Sequence, residues 1–201
     1  MFPRLRAAAA CAHTLPRLGA AARANPFIVG AVWLFFLHRA LSLRASGGQG
    51  QRQAASWRAV VSGWGAEALL CSPLRRCIRT ALLAFDAAAP PIELTPSLRE
   101  YHWQDRQNQG HPADPLQAER AAWGAADRVD PATLAALATP TQVWDPVSEA
   151  SMPRQELKAR SLAFAEGGFA LLRAELLSRP ERVLACVAHY GVTHGLCDEP
   201  F

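Results

Sequence analysis

Ser72-Pro73-Leu74-Arg75-Arg76-Cys77-Ile78-Arg79-Thr80-Ala81 brings together the residue types that bind an anion. An apolar run, Ala68 to Cys71, leads into it, and Ile78, Ala81, Leu82 and Phe85 follow at helical spacing. Ser72 is an N-cap residue type and Pro73 suits the first helical position, so the pattern predicts a strand that turns into a helix N-terminus. The backbone N–H groups and the dipole at such a terminus favour phosphate. A guanidinium beside it offers phosphate two parallel hydrogen bonds. The alternative is a solvated basic helix start with no ligand.

The decapeptide has company further along the chain. Leu98-Arg99-Glu100 places a carboxylate after a short apolar strand, and Val183-Leu184-Ala185-Cys186-Val187-Ala188-His189-Tyr190-Gly191 ends an apolar run in an imidazole. Together these segments resemble, in order, three marks of the histidine phosphatase (phosphoglycerate mutase-like) superfamily. They are its Ser-Pro-Leu-x-Arg-(x)3-Thr-Ala signature, its Leu-x-Glu acidic segment and its late strand with a catalytic His. Glu156, Arg160, Phe164 and Leu172, then Arg179-Pro180-Glu181-Arg182, resemble the long helix and turn before that strand. The resemblance runs over roughly residues 48 to 196.

The resemblance implies a division of labour. Arg76, with Ser72 in the same turn, would hold a phosphoryl group; His189 would donate to its oxygens; Glu100 would protonate the leaving alcohol and then deprotonate water. The family's nucleophile is a His in an Arg-His-Gly or Arg-His-Ala motif after the first strand, and it forms a phosphohistidine. At the matching place this chain reads Phe36-Leu37-His38-Arg39-Ala40, with the order inverted. Adjacent strand side chains point to opposite faces, so the shift turns His38 away from the nucleophile's place unless a bulge intervenes; Arg39 beside it is a further candidate for holding the phosphoryl group. Two functions follow as expectations. One is a phosphatase that works on a phosphate monoester through phosphohistidine. The other is a degenerate protein that only binds a phosphorylated ligand. The ligand would be a small phosphorylated molecule or a phosphoprotein, and the chemistry needs no metal and no organic cofactor.

Blander alternatives stand beside these roles. Glu100 could be an exposed carboxylate paired with Arg99 or Arg106, and His189 a hydrogen-bonded core histidine. Cys186, His189, His194 and Cys197 are zinc-ligand types. Strand alternation sets Cys186 opposite to His189, which argues against a zinc site.

The bulk numbers fit one enzyme-sized domain. A chain of 201 residues buries a proper core. The net charge of +4 comes with no stacked-aromatic or recognition-helix pattern, so it does not point to nucleic acid. The five cysteines form no Cys-x-x-Cys and no even framework, which indicates a reducing compartment. No acidic residue precedes Glu67, and residues 1–25 are rich in Ala and Arg. That composition suits a mitochondrial or plastid transit peptide, or a disordered tail. The expected location is therefore cytoplasmic or organellar, not secreted. Pro26 to Leu37 is apolar but short of the roughly 20 residues that span a bilayer.

The elements that must position these groups follow an alternating order. Phe27 to Leu37, Ala68 to Ser72, Ile92 to Leu94 and Val183 to Ala188 read as strands. Gln51 to Val61, with Ala54, Trp57 and Val61 on one face, and Pro73 to Phe85 read as helices. The alternation predicts an α/β three-layer sandwich over residues 26–201, with a mainly parallel central sheet and helices on both faces. Residues 99–151, dotted with prolines, read as an irregular insert with helices over Pro115 to Gly124 and Pro131 to Leu137, tied down by Trp103, Trp123 and Trp144. Pro153 to Ser178 reads as a long helix that buries Leu157, Phe164, Leu171, Leu172 and Leu176.

Overall fold

The computed structural model describes residues 52, 54–100, 108–122, 127–188 and 192. Its centre is a parallel sheet of three strands in the order β2-β1-β3, with β1 Ala68–Cys71, β2 Ile92–Leu94 and β3 Leu184–Val187. Leu69 pairs with Ile92 on one side and with Ala185 on the other. All four residues of β1 and of β3 are buried. Strands covered on both faces need no polar alternation, which is why Ala-Leu-Leu-Cys and Leu-Ala-Cys-Val read as continuous apolar runs. The outer edge of β2 is covered in part by a parallel bridge from Ile92 to Val129, where the Ile92 N–H donates to the Arg128 carbonyl at 2.7 Å. Capping an edge this way removes a template for aggregation.

The pleat divides the core in two. Leu69, Cys71, Ile92, Leu94, Ala185 and Val187 face α2, Arg75–Ala84, which brings Cys77, Ile78, Ala81 and Ala84 to the same cluster. Ala54 and Val61 join that cluster, Val61 from α1, Arg58–Val61, with Trp57 packed against it. The predicted apolar face of that segment is therefore the buried one. On the opposite face Ala68, Leu70, Leu184 and Cys186 meet Leu172 and Leu176 of α6, Arg154–Leu177. Helices on both faces of a parallel sheet make this the expected α/β architecture. Each fully buried Leu contributes about 1.5–3 kcal/mol relative to an exposed one.

Among the described residues of the 99–151 segment there are three short helices, α3 Ala113–Ala122, α4 Pro131–Ala136 and α5 Pro146–Ser151. Two of them start on the same device. Asp130 and Asp145 are N-caps whose carboxylates accept from the Thr133 and Ser148 N–H groups, and a proline sits at the first helical position of each. Trp144 is fully buried between α4 and α5 and anchors the insert as expected. Trp103 and Trp123 lie outside the described residues, as do the expected first strand Phe27 to Leu37 and residues 1–25.

Two expectations are corrected. Leu171 is 67% exposed, not buried. The buried stripe of α6 runs Leu157, Ser161, Gly168, Leu172 and Leu176, and Leu171 sits one residue, about 100° of helix, off it. The helix after β1 starts at Arg75, not Pro73, and its N-cap position is the extended Leu74. Ser72 is drawn instead into a local turn, its Oγ accepting from the Leu74 N–H at 3.4 Å.

Candidate functional site

The carboxyl ends of the three strands finish level with one another. The Ser72 N–H donates to the Val187 carbonyl, and the Thr95 N–H to the Cys71 carbonyl, at 2.9 and 2.8 Å. The segments that carry Ser72, Thr95 and Ala188 thus leave the sheet along one rim, where ligands bind in open parallel sheets. From Thr95 a 3-10 turn, Pro96–Leu98, carries the chain to Arg99 and Glu100.

Arg76 stands in the first turn of α2, partly buried. That turn holds two arginines and no acidic residue of its own, a composition that suits an anion at the helix N-terminus. Burial lowers the Arg76 pKa, while the Cys77 thiol and the Glu100 carboxylate pull it back up. The guanidinium stays charged throughout the physiological range. Arg76 Nη2 donates to the Asn108 Oδ1. Ser72 is fully buried and Glu100 is 6% exposed, so the carboxylate is not the exposed one that the bland alternative requires. Arg99 does not pair with it either: its partner is Glu149.

The Cys77 side chain lies among these groups, hydrogen-bonded to Ser72 and within electrostatic reach of Arg76 and Glu100. Burial pushes its thiol up to about 12. Cys186 is raised to about 12 for the same reason, and Cys71 is raised as well. Thiols held protonated at neutral pH are poor nucleophiles, so the three buried cysteines act here as packing.

His111 borders the site at the start of the insert's helical part. Burial lowers its pKa, Arg75 and Arg76 lower it further, and Glu119 opposes them. Arg75 in turn bonds Glu119 of α3 at 2.6 Å, which clips the insert to the first turn of α2.

Of the residues proposed from sequence, the structure brings Ser72, Arg76 and Glu100 to one end of the sheet. His189, His38 and Arg39 lie outside the described residues, as do His194 and Cys197. Among the described residues no group of three or more His, Cys, Asp or Glu is placed to hold a metal ion. Sequence reasoning missed Asn108, which no motif marks, and the Arg99–Glu149 pair, whose members stand 50 positions apart. No helix of the described residues is long and apolar enough to cross a membrane.

Residues 48–198 match the sequence model of the histidine phosphatase superfamily, branch 1. No curated protein and no solved structure matches the chain.

Proposed function

Because the chain belongs to the histidine phosphatase superfamily, a domain class of phosphatase and mutase-like activity, we propose that it acts on a phosphate monoester through a phosphohistidine intermediate. The observation that carries this reading is the partly buried Arg76 in the first turn of α2, with the Glu100 carboxylate acting on it. Arg76 and the main chain after Ser72 would hold the phosphoryl oxygens. A neutral imidazole attacks phosphorus, the alcohol departs with a proton from Glu100, and Glu100 then takes a proton from the water that cleaves the P–N bond. His189 would donate to the equatorial oxygens as charge builds on them. None of these steps calls for a metal ion. The substrate is a small phosphorylated molecule or a phosphoprotein, and the insert over residues 99–151 would shape its pocket.

The nucleophile decides between two forms of this function. His38 precedes Arg39, the reverse of the family's order. A bulge that restores His38 gives a working phosphatase. Without it the chain is a phosphate-binding protein with little turnover, because losing a nucleophile that acts as part of a unit removes most of the catalysis. We expect slow turnover that is blocked by vanadate. The test is incubation with an aryl phosphate, followed by mass spectrometry for acid-labile phosphohistidine. Label on His38 supports the phosphatase; phosphate binding without label supports the binding protein. Arg76→Glu should weaken phosphate binding at least about 100-fold, roughly two charge-assisted hydrogen bonds, with the far-UV spectrum unchanged. Turnover that needs a divalent metal, or that survives His189→Ala, refutes the proposal. Residues 1–25 are proposed as a targeting tail, and a reporter fused to residues 1–45 would show organellar signal if they are.

A further inference from the structure

Arg99 is fully buried, and its hydrogen bonds reach three separate parts of the insert. Nη1 donates to the Val143 carbonyl at 2.9 Å and to Glu149 Oε1 at 2.7 Å; Nη2 donates to Glu149 Oε2 at 3.0 Å and to the Asn108 carbonyl at 2.8 Å. Its guanidinium lies 5.2 Å from the centroid of the Trp144 ring. Glu149 Oε2 also accepts from the Gly110 N–H at 3.3 Å. Gly110 passes so close to this platform that a Cβ there would meet Pro146 at 3.1 Å and Trp144 at 3.3 Å. Residues 108–110 are thus held from below by a paired charge, an indole and a close backbone approach.

Asn108 is 4% exposed and serves two guanidiniums at once. Its main-chain carbonyl accepts from Arg99, and its side-chain carbonyl accepts from Arg76. We propose that Asn108 is a positioning residue for the phosphate clamp: the Glu149–Arg99 pair fixes Asn108, and its neutral amide aims Arg76 at the phosphoryl group without adding a negative charge beside it. This rests on the reading of Arg76 as the phosphate-holding arginine.

Two physical reasons favour the arrangement. A free arginine side chain carries about 2 kcal/mol of rotamer entropy, and a clamp fixed before the ligand arrives loses less of it on binding. The choice of amide also matters. A carboxylate at position 108 would bond Arg76 more strongly, but it would offset the charge and repel phosphate. At Arg99 the side-chain acceptor is a carboxylate, whereas the Asn108 side chain offers Arg76 a neutral amide oxygen.

The test measures binding of inorganic phosphate and of orthovanadate to the full chain by calorimetry, with Tm recorded for each variant. Asn108→Ala should weaken phosphate binding about tenfold, the equivalent of one hydrogen bond, and leave Tm nearly unchanged because the main-chain bond to Arg99 survives. Asn108→Asp should weaken binding further while holding or raising Tm, a combination that a merely structural role would not give. Glu149→Gln should weaken binding too, and the Asn108→Ala, Glu149→Gln double variant should be no worse than the weaker-binding single variant. If Glu149→Gln does not fold, the two Asn108 variants decide. Wild-type affinity in Asn108→Ala or Asn108→Asp overturns the inference and leaves the clamp standing. Absence of phosphate binding in the wild type overturns the clamp and this inference together.

Discussion

Arg99 and Arg179 each grip both oxygens of one carboxylate, and they sit at opposite ends of the same sheet. Arg99 follows β2 at the carboxyl end and binds Glu149, with both side chains at 0% exposure. Arg179 precedes β3 at the amino end and binds Glu181 at 2.7 and 3.0 Å, with Glu93 added at 3.0 Å and the arginine 28% exposed. The chemistry is alike, yet the two guanidiniums shift in opposite directions. Burial dominates at Arg99 and lowers its pKa despite the Glu149 bond. At Arg179 the desolvation is outweighed by the bonds to Glu93 and Glu181, and the pKa rises. The same pair is thus a wet brace at one end and a dry fixture at the other. The dry one stands directly before Glu100 and behind Asn108. What a salt bridge does in this fold depends on where the sheet puts it.

Glu149→Ala leaves the Arg99 charge buried without its carboxylate, and the expected loss is about 3–5 kcal/mol in urea unfolding. Replacing both partners by apolar residues of similar size should recover much of that stability while phosphate binding stays weak. A loss under about 1 kcal/mol for Glu149→Ala would mean that the pair is solvated after all. Arg179→Ala should cost about 1 kcal/mol or less, and the cost should shrink in high salt. A large, salt-insensitive cost there would erase the distinction between the two ends.

His111 is neutralised by burial and by Arg75 and Arg76, so its folded pKa lies below its ordinary 6.5. The unfolded chain binds the proton more readily, and stability therefore rises with pH through this range. The contribution is present above about pH 6.5 and is lost as pH falls below it. His111→Gln should flatten the Tm profile on that acidic limb and nowhere else. An unchanged acidic limb would show that His111 titrates freely.

The parts of this structure that were legible in the sequence are those governed by neighbours in the chain. Ile92–Leu94 is a strand over the residues expected, and Ala68–Cys71 does lie beside Leu184–Val187. Short continuous apolar runs announce buried parallel strands. The helix α4 was foreseen from Pro131, whereas α5 was not, although Asp145-Pro146 repeats the Asp130-Pro131 start. Pro146 stands at a first helical position, where its missing N–H costs the helix nothing. Leu171 was misplaced because Leu171 and Leu172 are both apolar and only the phase of α6 separates them. Arg76 was legible because a helix start and a guanidinium are local signals. Asn108 was not: its bonds to Arg76 and Arg99 exist only once α2, the turn after β2 and the insert have met.

The three buried thiols give the sheet a built-in record of its own opening. Cys71 and Cys186 sit on the paired strands β1 and β3, and Cys77 on the helix that covers one face of them. Burial pushes the Cys77 and Cys186 thiols well above their ordinary range, so at pH 7 they stay protonated and shielded while the fold is closed. An electrophile in the buffer therefore alkylates these sulfurs at the rate at which the layers part. Labelling at Cys186 alone would time the separation of α6 from the sheet, and labelling at Cys77 alone the departure of α2. The two clocks run on opposite faces of one set of strands, so their ratio reads which layer leaves first.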